Sequence, residues 1–142
     1  MPYDIDWYVD QHVIFWRMFG DKIPLSDVEE VSQVINDMSN QSTFPLVHSI
    51  VEIDYTPGFH MKELKEALVH FQNPKTGWTL RFITDRVMGM WGAIVSSQTQ
   101  TRFRNFETLE ECWEFLKSVD STVPVEPLNL DLIDQIRKTR TD

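Results

Sequence analysis

Cysteine is nearly missing from this chain. Cys112 stands alone, so no internal disulfide can form and a reducing, cytoplasmic setting is expected. Long apolar runs are missing too: no stretch is long enough to span a bilayer, and no signal-peptide pattern opens the sequence. Cationic charge is scarce, with 13 Lys and Arg against 22 Asp and Glu and a net charge of −9. That balance argues against nucleic acid or an anionic membrane as partner, because both are held by clustered Lys and Arg. Catalytic signatures are absent as well. There is no Gly-x-Ser-x-Gly elbow, no phosphate-binding glycine loop and no cysteine with an evident base. His12, His48, His60 and His70 do not share the spacing a zinc site needs, so scattered core or surface roles are expected for them. No cofactor and no metal are expected.

What is present is the pattern of one α/β domain. The 142 residues suffice for a single core, read as a domain over 1–120 followed by a linker and short helix over 121–142. Tyr3, Ile5, Trp7 and Val9 alternate with polar residues, and after a turn at Asp10 to His12 the denser run Val13 to Phe19 completes a hairpin. Ser26 and Glu29 read as a capping box, with Val28, Val31, Ile35 and Met38 following at helical spacing. Val47 to Thr56 reads as a buried strand ending on Pro57-Gly58. Leu64, Ala67, Leu68 and Phe71 form the stripe of the next helix, stopped by Asn73-Pro74. A fourth strand over Trp78 to Thr84 leads into a helix from about Arg86 to Ser97, and Thr101 to Phe106 makes a fifth strand. Thr108 and Glu111 repeat the capping box before Leu109, Cys112, Trp113 and Leu116, which makes Cys112 inert packing. Asn129 caps a short helix bearing Leu132, Ile133 and Ile136.

This order predicts an α/β fold: a five-stranded mixed sheet, N-terminal hairpin then parallel strands, with four core helices and a short C-terminal helix. If successive strands are spatial neighbours, right-handed crossovers collect the main helices on one face. The opposite face then needs the C-terminal helix or a second subunit to cover it.

Four features together resemble a known family: the opening hairpin, Ile53-Asp54-x-Thr56 at a strand end, Pro74-Lys75-x-Gly77-Trp78, and Arg102-Phe103-Arg104-x-Phe106 before a capped helix. Over roughly residues 3 to 120 the chain is similar to the SpoIIAA-like fold of STAS domains and of bacterial STAS/SEC14-like proteins. Anti-sigma-factor antagonists of that family carry an Asp-Ser-Ser-Gly stretch with a phosphorylated serine. The matching region here is Asp54-Tyr55-Thr56-Pro57-Gly58, which lacks the serine pair and leaves Thr56 as the nearby hydroxyl.

Two readings of that segment stand side by side. Asp54, Tyr55, Thr56, Pro57 and Gly58 are either a regulatory loop contacting a partner or ordinary turn chemistry. Asp21, Asp54 and Asp85 each follow a parallel strand and either gather as an Mg²⁺ site or cap and solvate loops. Arg81, Arg102 and Arg104 are read as a small positive patch on adjoining strands, which edge protection explains more cheaply than anion binding does. Met88, Met90, Trp91, Ile94 and Val95 mark a helix that serves as an interface, an apolar-ligand gate or buried core. The favoured function is a non-enzymatic regulatory or scaffold domain, homodimeric and bound to a protein partner. The alternatives are a carrier of a lipid or small apolar ligand, and an Mg-dependent enzyme built on the three aspartates.

Overall fold

This computed structural model describes residues 3–68, 72–82 and 102–137. Five strands form one sheet: β1 (Tyr3–Val9), β2 (Val13–Ile23), β3 (Val47–Pro57), β4 (Thr76–Phe82) and β5 (Phe103–Phe106). Four helices flank it among the described residues: α1 (Leu25–Gln41), α2 (Met61–Ala67), α3 (Leu109–Val119) and α4 (Leu130–Arg137). The strands lie in the order β1-β2-β3-β4-β5, with β1 antiparallel to β2 and every later pair parallel. The mixed α/β sheet expected from the sequence is therefore the sheet observed. The helix expected over 86–97 lies outside the described residues, and with it Met88, Met90, Trp91, Ile94 and Val95.

Each central strand feeds two cores because successive side chains point to opposite faces. Ile14, Trp16 and Met18 of β2 join Val47, Val51 and Tyr55 of β3 beneath α1 and α2. Val13, Phe15, Ile50 and Leu80 point the other way, against Leu109, Cys112, Trp113 and Leu116 of α3 and Ile133 and Ile136 of α4. A sheet buried on both faces favours dense apolar runs, as β2 carries from Val13 to Phe19; β3 is buried on both faces from Val47 to Val51 as well, but includes the polar His48 and Ser49.

The expectation that the main helices share one face is corrected here. α1 and α2 are crossovers between parallel neighbours and lie together, whereas α3 follows the last strand. No crossover rule constrains it, and it folds back onto the opposite face with α4. The chain's own helices thus cover the face for which a second copy was one of two expected covers. α4 has eight residues, too few for a stable isolated helix. Its docking rests on burying Ile133 and Ile136, on the Asn129 cap (Leu132 N–H to Oδ1, 3.1 Å), on Arg137 Nε to Glu52 Oε2 (2.8 Å) and on Asn129 N–H to the Tyr8 hydroxyl (2.7 Å).

Local signals fare unevenly. At α3 the N-cap half of the expected box forms, with Thr108 Oγ1 accepting from the Glu111 N–H at 3.2 Å, while the Glu111 carboxylate accepts from the Thr108 hydroxyl and not from its backbone. At α1 it does not: Pro24 occupies the N-cap without a side-chain bond, because β2 runs on to Ile23 and leaves a single residue before the helix. α2 closes at Ala67, ahead of Asn73-Pro74. Asn73 has another task there, donating through Nδ2 to Asn36 and Asn40 of α1 at 2.9 Å each. Cys112 is fully buried, and burial pushes its thiol up to about 12, as inert packing requires.

Replacing Thr108 by Ala removes the acceptor for the Glu111 amide. Unfolding in urea is expected to show a loss of about 1 kcal/mol at unchanged m-value.

Candidate functional site

Two β-bulges organise the two ends of β3. At its carboxyl end, Gly20 pairs with Tyr55 and Ile23 with Pro57, so Asp21 and Lys22 of β2 oppose Thr56 alone. Lys22 takes a positive φ of 51° there, and its freed N–H donates to Thr56 Oγ1 at 2.8 Å. The Thr56 hydroxyl in turn donates to Asp21. The Gly58 N–H reaches the Ile23 carbonyl at 2.7 Å, so close that a Cβ on Gly58 would lie 2.6 Å from the Lys22 oxygen. Asp54, Thr56 and Gly58 are exposed on this rim, whereas Tyr55 turns inward into the first core, as strand alternation dictates. Burial raises the Tyr55 phenol, partly offset by Arg81. Of the three aspartates, Asp21 is engaged with Thr56, Asp54 is exposed nearby, and Asp85 lies outside the described residues.

Arg81 is not part of a surface patch. It occupies a β4 position facing the first core and is 4% exposed, and burial lowers its guanidinium to about 10 against the opposing effect of Tyr55. Arg104 is exposed and lies over the Phe106 and Phe115 rings. Arg102 Nη1 reaches the Thr76 carbonyl at 3.4 Å. Beneath α1 and α2 an apolar cavity lined by Trp16, Met18, Val31, Tyr55 and Leu64 measures about 40 Å³, room for roughly one or two waters.

The second bulge, at the amino end of β3, builds the candidate site. Val47 pairs with Thr76 and Ser49 with Thr79, so Gly77 and Trp78 of β4 oppose His48 alone. The freed Trp78 N–H donates to His48 Nδ1 at 2.9 Å. Only glycine fits at 77: a Cβ would stand 2.4 Å from that nitrogen. On its other side His48 Nε2 meets Asp120 Oδ2 at 2.8 Å, and His12 Nε2 meets the same oxygen at 3.1 Å. Asp120 Oδ1 accepts from the Thr122 hydroxyl at 2.5 Å and the Thr122 N–H at 2.9 Å. Both imidazoles are 1% exposed, and His12 stacks on Phe44 with ring centroids 4.0 Å apart. A cavity of about 260 Å³ opens beside the cluster, walled by Pro45, Leu46, Trp78 and Val119.

The partners fix the protons. A carboxylate only accepts and a backbone N–H only donates, so His48 carries its hydrogen on Nε2 and offers a lone pair at Nδ1. Burial would raise Asp120, but the hydrogen bonds from Thr122, His48 and His12 outweigh it and hold the carboxyl well below the usual range. Burial lowers His48, against the attraction of Asp120 and with the help of His12 and Arg102. The cluster is a carboxylate with four donors around it and a neutral imidazole beside it.

His12, His48 and Asp120 also lie within 4.8 Å of one another through atoms that ligate metals. Their protons do not fit that use. A ligating imidazole gives its lone pair to the ion and donates its other N–H to an acceptor, but His48 Nδ1 faces a donor. An ion at Nε2 would set two N–H groups against each other.

Sequence reasoning expected scattered histidines and looked to the other end of the sheet. Two signals pointed here: His48 interrupts a buried apolar run and must find a partner, and Asp120 sits at the C-cap of α3, where the helix dipole disfavours an anion unless donors surround it.

No family model matches the chain, and no curated protein matches it. Among solved structures it is similar to an uncharacterized protein of the DUF3478 family with a SpoIIAA-like fold from Shewanella loihica PV-4. The TM-score is 0.58 at 12% identity, over 80% of this chain and 91% of that one. The chain has a SpoIIAA-like fold. No helix among the described residues is long and apolar enough to cross a membrane.

Asp120→Ala strands two buried imidazole N–H groups, and equilibrium denaturation is expected to show about 3 kcal/mol of lost stability. Excess Zn²⁺ is expected to leave the wild-type melting temperature unchanged, since an ion that bound the folded cluster would raise it by mass action.

Proposed function

We propose that this chain is a non-enzymatic, STAS-like interaction domain that docks a protein partner on the rim formed by Asp21, Lys22, Asp54 and Thr56. The observation carrying this reading is the Thr56 hydroxyl, which accepts from the Lys22 N–H at 2.8 Å and donates to Asp21. A rim tied in this way loses little freedom on binding, so less of the contact energy goes into ordering it. Asp21 and Asp54 add local negative charge to a chain of net charge −9, which suits a partner surface rich in Arg and Lys. The non-enzymatic part is supported by the other end of the sheet: the imidazole N–H groups of His12 and His48 are directed at Asp120, whose oxygens also receive the N–H and hydroxyl of Thr122, and His48 Nδ1 is taken by the Trp78 N–H.

Regulation follows from the same hydroxyl. A phosphate on Thr56 brings roughly two negative charges beside Asp21 and removes the proton that Asp21 receives. The phosphate oxygens can still accept from the Lys22 N–H, but Asp21 loses its donor and is repelled, so the docking rim changes its shape and charge.

Affinity capture on the immobilised chain, followed by calorimetric titration of the purified captured protein, tests this reading. Asp54→Ala combined with Thr56→Ala is expected to weaken binding by about tenfold or more. Equal affinity for both forms removes the rim, and failure to capture any protein that then binds in purified form removes the interaction role.

A further inference from the structure

We propose that His48 and the Gly77-Trp78 bulge form a proton-operated switch, in which a proton taken up at His48 Nδ1 breaks the bond from the Trp78 N–H and displaces the bulge. Geometry carries this. His48 Nε2 already holds its hydrogen toward Asp120 Oδ2 at 2.8 Å, so the one site left for a second proton is Nδ1. That lone pair is occupied by the Trp78 N–H at 2.9 Å. Two N–H groups cannot share that gap, and on the Gly77 side the ring is closely packed: its Nδ1 and Cε1 lie 2.4 and 2.8 Å from where a Cβ on Gly77 would be. Protonation must therefore move the β4 backbone or turn the imidazole away from Asp120.

The displacement has a path outward. The Trp78 ring packs edge-on against Phe115 of α3, with centroids 4.9 Å apart, and forms part of the wall of the cavity of about 260 Å³. Moving the Trp78 backbone shifts that wall. A proton on a buried ring thereby becomes a change in the shape of a surface recess.

The groups that face His48 set the direction. Asp120 at the end of α3 favours the imidazolium; burial opposes it most strongly, joined by His12 before β2 and Arg102 before β5. Thr122 is spent on Asp120. The net effect places the folded His48 below the ordinary value of 6.5. The unfolded chain then takes up this proton first as pH falls. The stability His48 contributes is thus complete above 6.5 and declines on the acid side, and the switch operates there.

Imidazole and amide ¹⁵N NMR spectra of the intact chain, recorded from about pH 8 to about pH 5, test the proposal. At the upper end His48 is expected as the Nε2–H tautomer. As it titrates, the Trp78 amide should shift in step and exchange its hydrogen about tenfold faster relative to Leu80 on the same strand, the worth of one lost hydrogen bond. In His48→Asn the side-chain oxygen stands in for Nδ1 and takes up no proton, so the Trp78 amide should become independent of pH. The switch is overturned if His48 is the Nδ1–H tautomer, if the Trp78 amide stays protected while His48 titrates, or if the asparagine variant shows the same transition. Should that variant not fold, the wild-type spectra alone decide through the first two outcomes.

Discussion

The Asp120 carboxylate is the point on which the second half of the structure hangs. It lies at the C-cap of α3, where four backbone carbonyls already crowd negative charge, and it is ionised there because four N–H and O–H groups converge on its two oxygens. Those donors come from three places in the chain: His12 before β2, His48 at the start of β3, and Thr122 just beyond the helix. His12 and Asp120 are 108 residues apart. Their contact fixes where α3 ends over the sheet and so where the segment carrying Val123 and α4 begins to pack. Bonds of this kind add modest net stability when made and cost far more when one partner is lost.

Elements with a local code were legible in the sequence. β1 declares itself by alternation from Tyr3 to Val9 and β2 by the denser apolar run from Val13 to Phe19, and Thr108 with Glu111 announces α3 within four residues. The sequential strand order, which the sequence leaves as a condition, is the order observed, and the likeness to a SpoIIAA-like fold is seen in the solved structure that superposes on most of the chain. Ser26 misled because the same local code was present without the geometry: β2 continues through its bulge to Ile23 and Pro24 takes the cap. Arg81 misled because spacing along one strand does not say which face it is on.

The His12, His48 and Asp120 cluster was not legible for a different reason. Ligand and catalytic motifs are read from short spacings, and here His48 and Asp120 are 72 residues apart. Nothing local joins them. What the sequence did contain was anomaly: a histidine inside a buried apolar run, and an acid at the wrong end of a helix. Each is a debt in hydrogen bonding that some distant residue must settle, and here the two settle each other.

β3 opposes a two-residue bulge at each end, Asp21-Lys22 on one neighbour and Gly77-Trp78 on the other, and in both cases the facing side chain takes the freed N–H. These two bonds act as pegs against slippage. Sliding β3 by one residue would send Thr56 and His48 to the wrong faces of the sheet, leave both bulges unsatisfied and exchange the two cores. A central strand apolar on both sides is otherwise poorly protected against mispairing during folding. In this chain two polar side chains, one at each end, decide the alignment that the apolar residues between them leave open.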